Sequence, residues 1–247
     1  MGRAVFARHL EIPQLPSGNL LLSSPTLHAV TVEYTINPDL FINTLRPALE
    51  TRDTQAVVSL CKQHWSCAQI ASLLASENRD ARKVASLALS LVGCTSCLND
   101  IAQQLKDPDP MVNQLAEHAL WSIWFRGGEP KAISLVGRGS RLIDARQFTQ
   151  AIELFNRALT ISPTFAEAYN QRAIAHYLTD NYAISIKDCR RAVTLMPIHF
   201  GAWSGLGHCY AQMGQIEEAL RSYRKAIDIN PHLQCIRETI CELESIC

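Results

Sequence analysis

The amino-acid sequence predicts an all-α chain, an α-solenoid of stacked helix pairs. Three observations lead there. Pro163, Pro197 and Pro231 recur at intervals of 34 residues. Small residues recur at fixed places between them: Gly139, Ala173 and Gly207; Ala151, Ser185 and Ala219; Ala158, Ala192 and Ala226. Upstream, "DARKVASLALSLVG" (80–93) aligns with "PMVNQLAEHALWSIW" (110–124) at an offset of 31, pairing Ala85 with Ala116 and Ala88 with Ala119. A repeat of this length accommodates one helix pair. A lone pair cannot bury its apolar face, so neighbours must stack.

Residues 1–37 stand apart. Pro13, Pro16, Gly18 and Pro25 argue against helix, and "VTVEYTI" (30–36) alternates apolar and polar residues in the period of a strand. A single strand finds no partner in an all-α fold, so this segment is expected to be a flexible or loosely packed N-terminal arm. Residues 38–128 follow as helical pairs. "NPDLFINTLRPALE" (37–50) and "DTQAVVSLCKQHW" (53–65) make one pair, and "AQIASLLAS" (68–76) and "CLNDIAQQLK" (97–106) precede the two long aligned segments. In "KDPDP" (106–110), Asp109 can cap a helix and Pro110 suits its first position. The junction "FRGGEPKA" (125–132) is too short for a linker, so the two halves should pack into one solenoid, with Trp121, Trp124 and Phe125 filling the interface.

Counting back from the prolines gives three units, 132–165, 166–199 and 200–233. Small residues let two helices approach closely. Large ones, Leu135, Tyr169 and Trp203, and Phe155, Cys189 and Tyr223, fill the space between one pair and the next. Proline stops the second helix of each unit. The tail "HLQCIRETICELESI" (232–246) reads as one more amphipathic helix, so 234–247 is expected to cap the last unit.

The three units resemble the tetratricopeptide repeat (TPR) family. Leu135, Leu142 and His176 depart from its usual Trp and Tyr. Residues 38–128 are similar, more loosely, to HEAT-type repeats. The TPR resemblance implies a concave groove lined by the first helix of each unit. Carried over place by place, its wall includes Val136, Ser140 and Ile143, then Asn170, Ile174 and Tyr177, then Ser204 and His208. Asp144 and Glu167 are the charged groove places, with no Lys or Arg. One subset of the family grips acidic chaperone tails with Lys, Arg and Asn. The matching places here hold Val136, Ser140, Gln171, Gly201 and Gly205, so acidic chaperone tails are not expected as ligands. The resemblance implies a non-enzymatic module or scaffold that binds an extended peptide or a protein surface.

Composition bounds the alternatives. The 247 residues carry 23 Lys+Arg and 23 Asp+Glu, so no net field draws the chain to nucleic acid or an anionic membrane. No stretch approaches a membrane span, "NLLL" (19–22) is too short for a signal-peptide core, and Phe6 spoils a myristoylation motif. No GxSxG, P-loop, GxGxxG or HExxH spacing occurs, so neither enzyme chemistry nor a cofactor is expected. Nine cysteines at irregular spacing suit reduced thiols in a cytoplasm. Cys94 and Cys97 form C-x-x-C, and Cys61, His64 and Cys67 lie in "CKQHWSC". The expectation is that these pack as small apolar residues; the alternative is a metal- or redox-responsive protein using Cys94 and Cys97. Lys187, Arg190 and Arg191 are expected on the solvated convex face.

Overall fold

The structure, a computed structural model, describes residues 36–245, and every regular element among them is helical. Residues 1–35 of the N-terminal arm, and with them all but the last residue of its strand-like stretch, lie outside the described residues.

The first half is three pairs. Helix α1 (Pro38–Glu50) packs on α2 (Thr54–His64). The short α3 (Cys67–Ser72) and its 3-10 extension (Leu73–Ala75) pack on the long α4 (Arg79–Val92). A second short–long pair follows: α5 (Leu98–Gln103), extended by Gln104–Lys106, and α6 (Pro110–Phe125). The starts are written locally. The side chains of Asn37, Asp53, Asn78 and Asp109 each accept a hydrogen bond from the first-turn backbone N–H groups, and Ser66 with Gln69 forms a reciprocal capping box. The expected cap at Asp109 and Pro110 is present. Asp107, in the same turn, accepts from Asp109 N at 2.8 Å and from Arg82 Nε at 2.7 Å, tying α4 to the turn that opens α6.

The second half contains α7 (Pro130–Asp144) with α8 (Phe148–Ile161), α9 (Ala166–Leu178) with α10 (Tyr182–Leu195), and α11 (Phe200–Gln212) with α12 (Ile216–Ile229). Helix α13 (Gln234–Glu244) packs on α12. Each first helix ends the same way. Arg146, Asp180 and Gly214, spaced by 34 residues, all have positive φ, at 57°, 61° and 71°. The next residue's N–H then reaches back to a helix carbonyl: Gln147 to Leu142, Asn181 to His176, Gln215 to Tyr210. This left-handed stop satisfies two carbonyls that the helix end would leave bare. Arg52, at φ 55°, closes α1 identically, with Asp53 N bonded to Ala48 O.

The small residues sit at close approaches. A Cβ on Gly139 would come within 2.5 Å of the Phe155 ring, and one on Gly207 within 2.4 Å of the Tyr223 ring. Ala151, Ala158, Ala173, Ala192, Ala219 and Ala226 are all fully buried. Lys187, Arg190 and Arg191 are exposed. Arg190 donates to the Tyr210 hydroxyl at 2.6 Å, and Arg191 lies over the Tyr169 ring.

Candidate functional site

Helices α7, α9 and α11 lie side by side, α9 touching both neighbours, and together they form one wall. Val136, Ile143 and Ile174 point into an apolar cluster with Leu135, Phe155 and Ala175 and are buried. Ser140 is buried as well. Tyr177 and His208 come together with ring centroids 6.2 Å apart; His208 Nδ1 is hydrogen-bonded to the Tyr223 hydroxyl at 2.9 Å. Burial pushes the pKa of that hydroxyl up, so it stays protonated. Ser204 is half-exposed, its hydroxyl returned to Phe200 O at 2.9 Å, and Asp144 and Gln212 are exposed. Of the eight wall residues the sequence picks out, only Ser204 therefore offers appreciable surface in this conformation.

Asn170 belongs to a buried polar network. Glu167, on the same helix, accepts from Gln171 Nε2 at 2.7 Å and from Asn170 Nδ2 at 3.3 Å. Its other oxygen lies 2.8 Å from His199 Nε2. His199 Nδ1 accepts the Ala202 N–H at 3.2 Å and so caps α11, which leaves the proton on Nε2, donated to the carboxylate. The imidazole is stacked on Trp124 of α6 at 4.2 Å, and Trp121 packs edge-on against both His199 and Phe200. Further along, Asn230 donates to Glu117 of α6 at 3.1 Å. Helix α6 thus lies against the connections that follow α10 and α12. Trp124 and Phe125 are buried there and Trp121 is half-buried, filling the junction as expected. Sequence reasoning missed His199 and Glu117. The signal for His199 was its place just before α11; Glu117 and Asn230 are 113 residues apart and carry none.

The thiols divide into two groups. Cys61, Cys189 and Cys209 are buried in the apolar core, where burial raises the Cys61 and Cys209 thiols to about 11. His64 is exposed and does not join a cluster with Cys61. Cys67, Cys94 and Cys97, by contrast, have their sulfurs within 4.8 Å of one another. Helix α2 stops at His64, Trp65 is extended, and Ser66 starts a new helix, so Cys67 turns away from Cys61 and toward the C-x-x-C. The "SCAQ" capping box (66–69) was the sequence signal for that turn.

Comparison with known proteins addresses the second half. Family models described as tetratricopeptide repeat and TPR repeat match residues 201–233 and 139–180. A TPR repeat-containing protein of Rhizobium etli is 26% identical over 146 residues, covering 58% of this chain and 71% of that protein. Anaphase-promoting complex subunit 3 of Schizosaccharomyces pombe is 33% identical over 87 residues, 35% of this chain; the chain spans only 13% of that protein's length. Among solved structures, the first TPR of Spaghetti bound to an HSP90 peptide covers 47% of this chain and 92% of its own, with 21% identity and a TM-score of 0.46. No helix among the described residues is long and apolar enough to cross a membrane. Each matched by one of the two models and folded as helices joined by a left-handed turn that recurs every 34 residues, residues 139–180 and 201–233 are tetratricopeptide repeats.

Proposed function

We propose that the chain is a non-enzymatic interaction module that holds an extended peptide, or an extended segment of a protein, along the wall made by α7, α9 and α11. The observation that carries this reading is the side-by-side placement of those three helices across three repeat units, 132–165, 166–199 and 200–233, which presents one continuous surface rather than separate pockets. Repeat surfaces of this kind suit elongated ligands. Val136, Ser140, Ile143, Asn170, Ile174, Tyr177 and His208 give the wall its shape from beneath, and Ser204 stands at its accessible face. Of the charged wall places Glu167 is buried and internally paired, Asp144 is exposed and none is a cation, so a neutral to mildly basic segment with apolar anchors is the fitting ligand and an acidic tail is not. Residues 38–128 serve as a HEAT-like scaffold, a reading supported by the two short–long helix pairs, and the helix Gln234–Glu244 caps the last repeat.

A photo-crosslinking residue at Ser204 tests the reading. Two pools of synthetic peptides with spaced apolar anchors are offered, one neutral to mildly basic and one acidic. Crosslinking of the first pool at Ser204, and not from a matching probe at exposed Arg221 on α12, is the expected result. Equal capture at Arg221, or preference for the acidic pool, overturns it.

A further inference from the structure

Three cysteine side chains from two separate segments meet at the edge of the first half. Cys67 opens α3, Cys94 precedes the single 3-10 turn Thr95–Cys97 between α4 and α5, and Cys97 ends it. Their sulfurs lie within 4.8 Å of one another. Tetrahedral thiolates around zinc, with Zn–S bonds of about 2.3 Å, stand about 3.8 Å apart, so small side-chain rotations would close the triangle. We propose that Cys67, Cys94 and Cys97 hold one zinc ion through three thiolate sulfurs, with the fourth coordination position open to solvent.

The surroundings differ from those of a packing thiol. Cys61, Cys189 and Cys209 are buried among apolar side chains. The trio instead grades from buried Cys97 through half-buried Cys67 to exposed Cys94, which gives an ion an entry path and leaves one side to water. The sulfurs also have polar contacts: Cys67 Sγ is 3.1 Å from Val92 O, and Cys94 Sγ is 3.1 Å from Ser96 Oγ. A cation sits beside them. Arg126 donates to Ser90 O at 2.7 Å and to Gly93 O at 3.3 Å, and its guanidinium interacts with Cys67. Three thiolates on a divalent ion leave one net negative charge, which that guanidinium offsets. The close turn before Cys94 needs its glycine: a Cβ on Gly93 would come within 2.4 Å of Leu89 O. Among the described residues no His, Asp or Glu joins the cluster, so none of them fills the fourth position. Thiolate donors favour zinc or Cu(I), and the open fourth position on the solvent side favours four-coordinate zinc.

The test uses the full chain, reduced, handled anaerobically and stripped with a chelator. Zinc is titrated against a competing dye, and Co(II) is added separately to read tetrahedral sulfur ligation from its visible d–d bands and sulfur-to-metal charge-transfer absorption. Expected are one bound zinc per chain, the tetrahedral Co(II) spectrum, and loss of both in Cys67→Ser and in Cys94→Ser. Cys94 is exposed and Cys67 half-exposed, so both variants retain the helical circular dichroism. The control Cys235→Ser, outside the cluster, binds as the native chain does. Absence of stoichiometric zinc, retention of zinc in the Cys67→Ser Cys94→Ser double variant, or uptake of Cu(I) alone overturns the proposal.

Discussion

Glu167 and His199, near the two ends of the second repeat unit, face each other at 2.8 Å with both side chains wholly buried. The imidazole does three jobs at once. It caps α11 through Nδ1, satisfies the carboxylate through Nε2, and lays its face on Trp124 of the preceding half. The carboxylate in turn accepts from both Asn170 and Gln171. A buried charge is tolerated only when its lone pairs are met, and here they are.

Removing that carboxylate strands three buried donors. Glu167→Ala is expected to destabilise the chain by about 3 kcal/mol, the usual cost of leaving one partner of a buried polar pair unmatched. Urea unfolding followed by circular dichroism measures it. An unchanged midpoint would mean that the network is not closed in the folded chain.

Two glycines on α7, two residues apart, should respond in opposite directions. Gly137 has nothing within 4 Å of a Cβ, so Gly137→Ala should raise stability by about 0.5–1 kcal/mol through helix propensity. A Cβ on Gly139 would stand 2.5 Å from the Phe155 ring, and Gly139→Ala should cost about 1–3 kcal/mol through overpacking. Thermal midpoints of the two variants, compared with the native chain, decide the matter. Gly207, against Tyr223, should behave like Gly139.

The left-handed stops give a third test. Arg146 adopts a conformation that favours glycine, at φ 57°, where the equivalent residue two repeats later carries φ 71° as Gly214. Arg146→Gly should therefore stabilise by about 0.5–1 kcal/mol, and Gly214→Ala should destabilise by about 1 kcal/mol. Matching losses from both substitutions would show that the turn geometry is not shared.

Burial lowers the pKa of His118, and the nearby Arg126 charge adds to the effect; burial likewise lowers His176. Both imidazoles are expected to titrate below 6.5, the ordinary value, when followed by proton NMR. In the window below that value the unfolded chain binds the protons first. Stability from these two groups is thus full above the ordinary value and falls as pH drops toward the lowered ones. His118→Gln with His176→Gln should flatten that part of the stability profile. Titration at or above the ordinary value would contradict the burial of both rings.

Much of this molecule is local, and local features are readable. Proline spacing, small residues at Gly139, Ala173 and Gly207, caps at Asp109 and Ser66, and the amphipathic tail that becomes α13 all act within a turn or a helix pair. Each constrains neighbours a few residues away, so the pattern along the chain determined the helices, the pairing and the repeat. Tertiary structure alone decided the rest. Asn170 reads as a groove residue from its place on the helix, yet its amide is turned to Glu167, because His199 and Trp124 arrive from other elements to close the network. Val136, Ile143 and Ile174 share the wall but are buried by packing that no periodicity specifies. Cys67 meets Cys94 and Cys97 only because the helix breaks at Trp65, which reorients the segment that carries Cys67, and α4 returns the chain beside it. Contacts between residues distant in sequence depend on how whole helices are oriented. That orientation is set by the summed packing of many side chains rather than by any one of them.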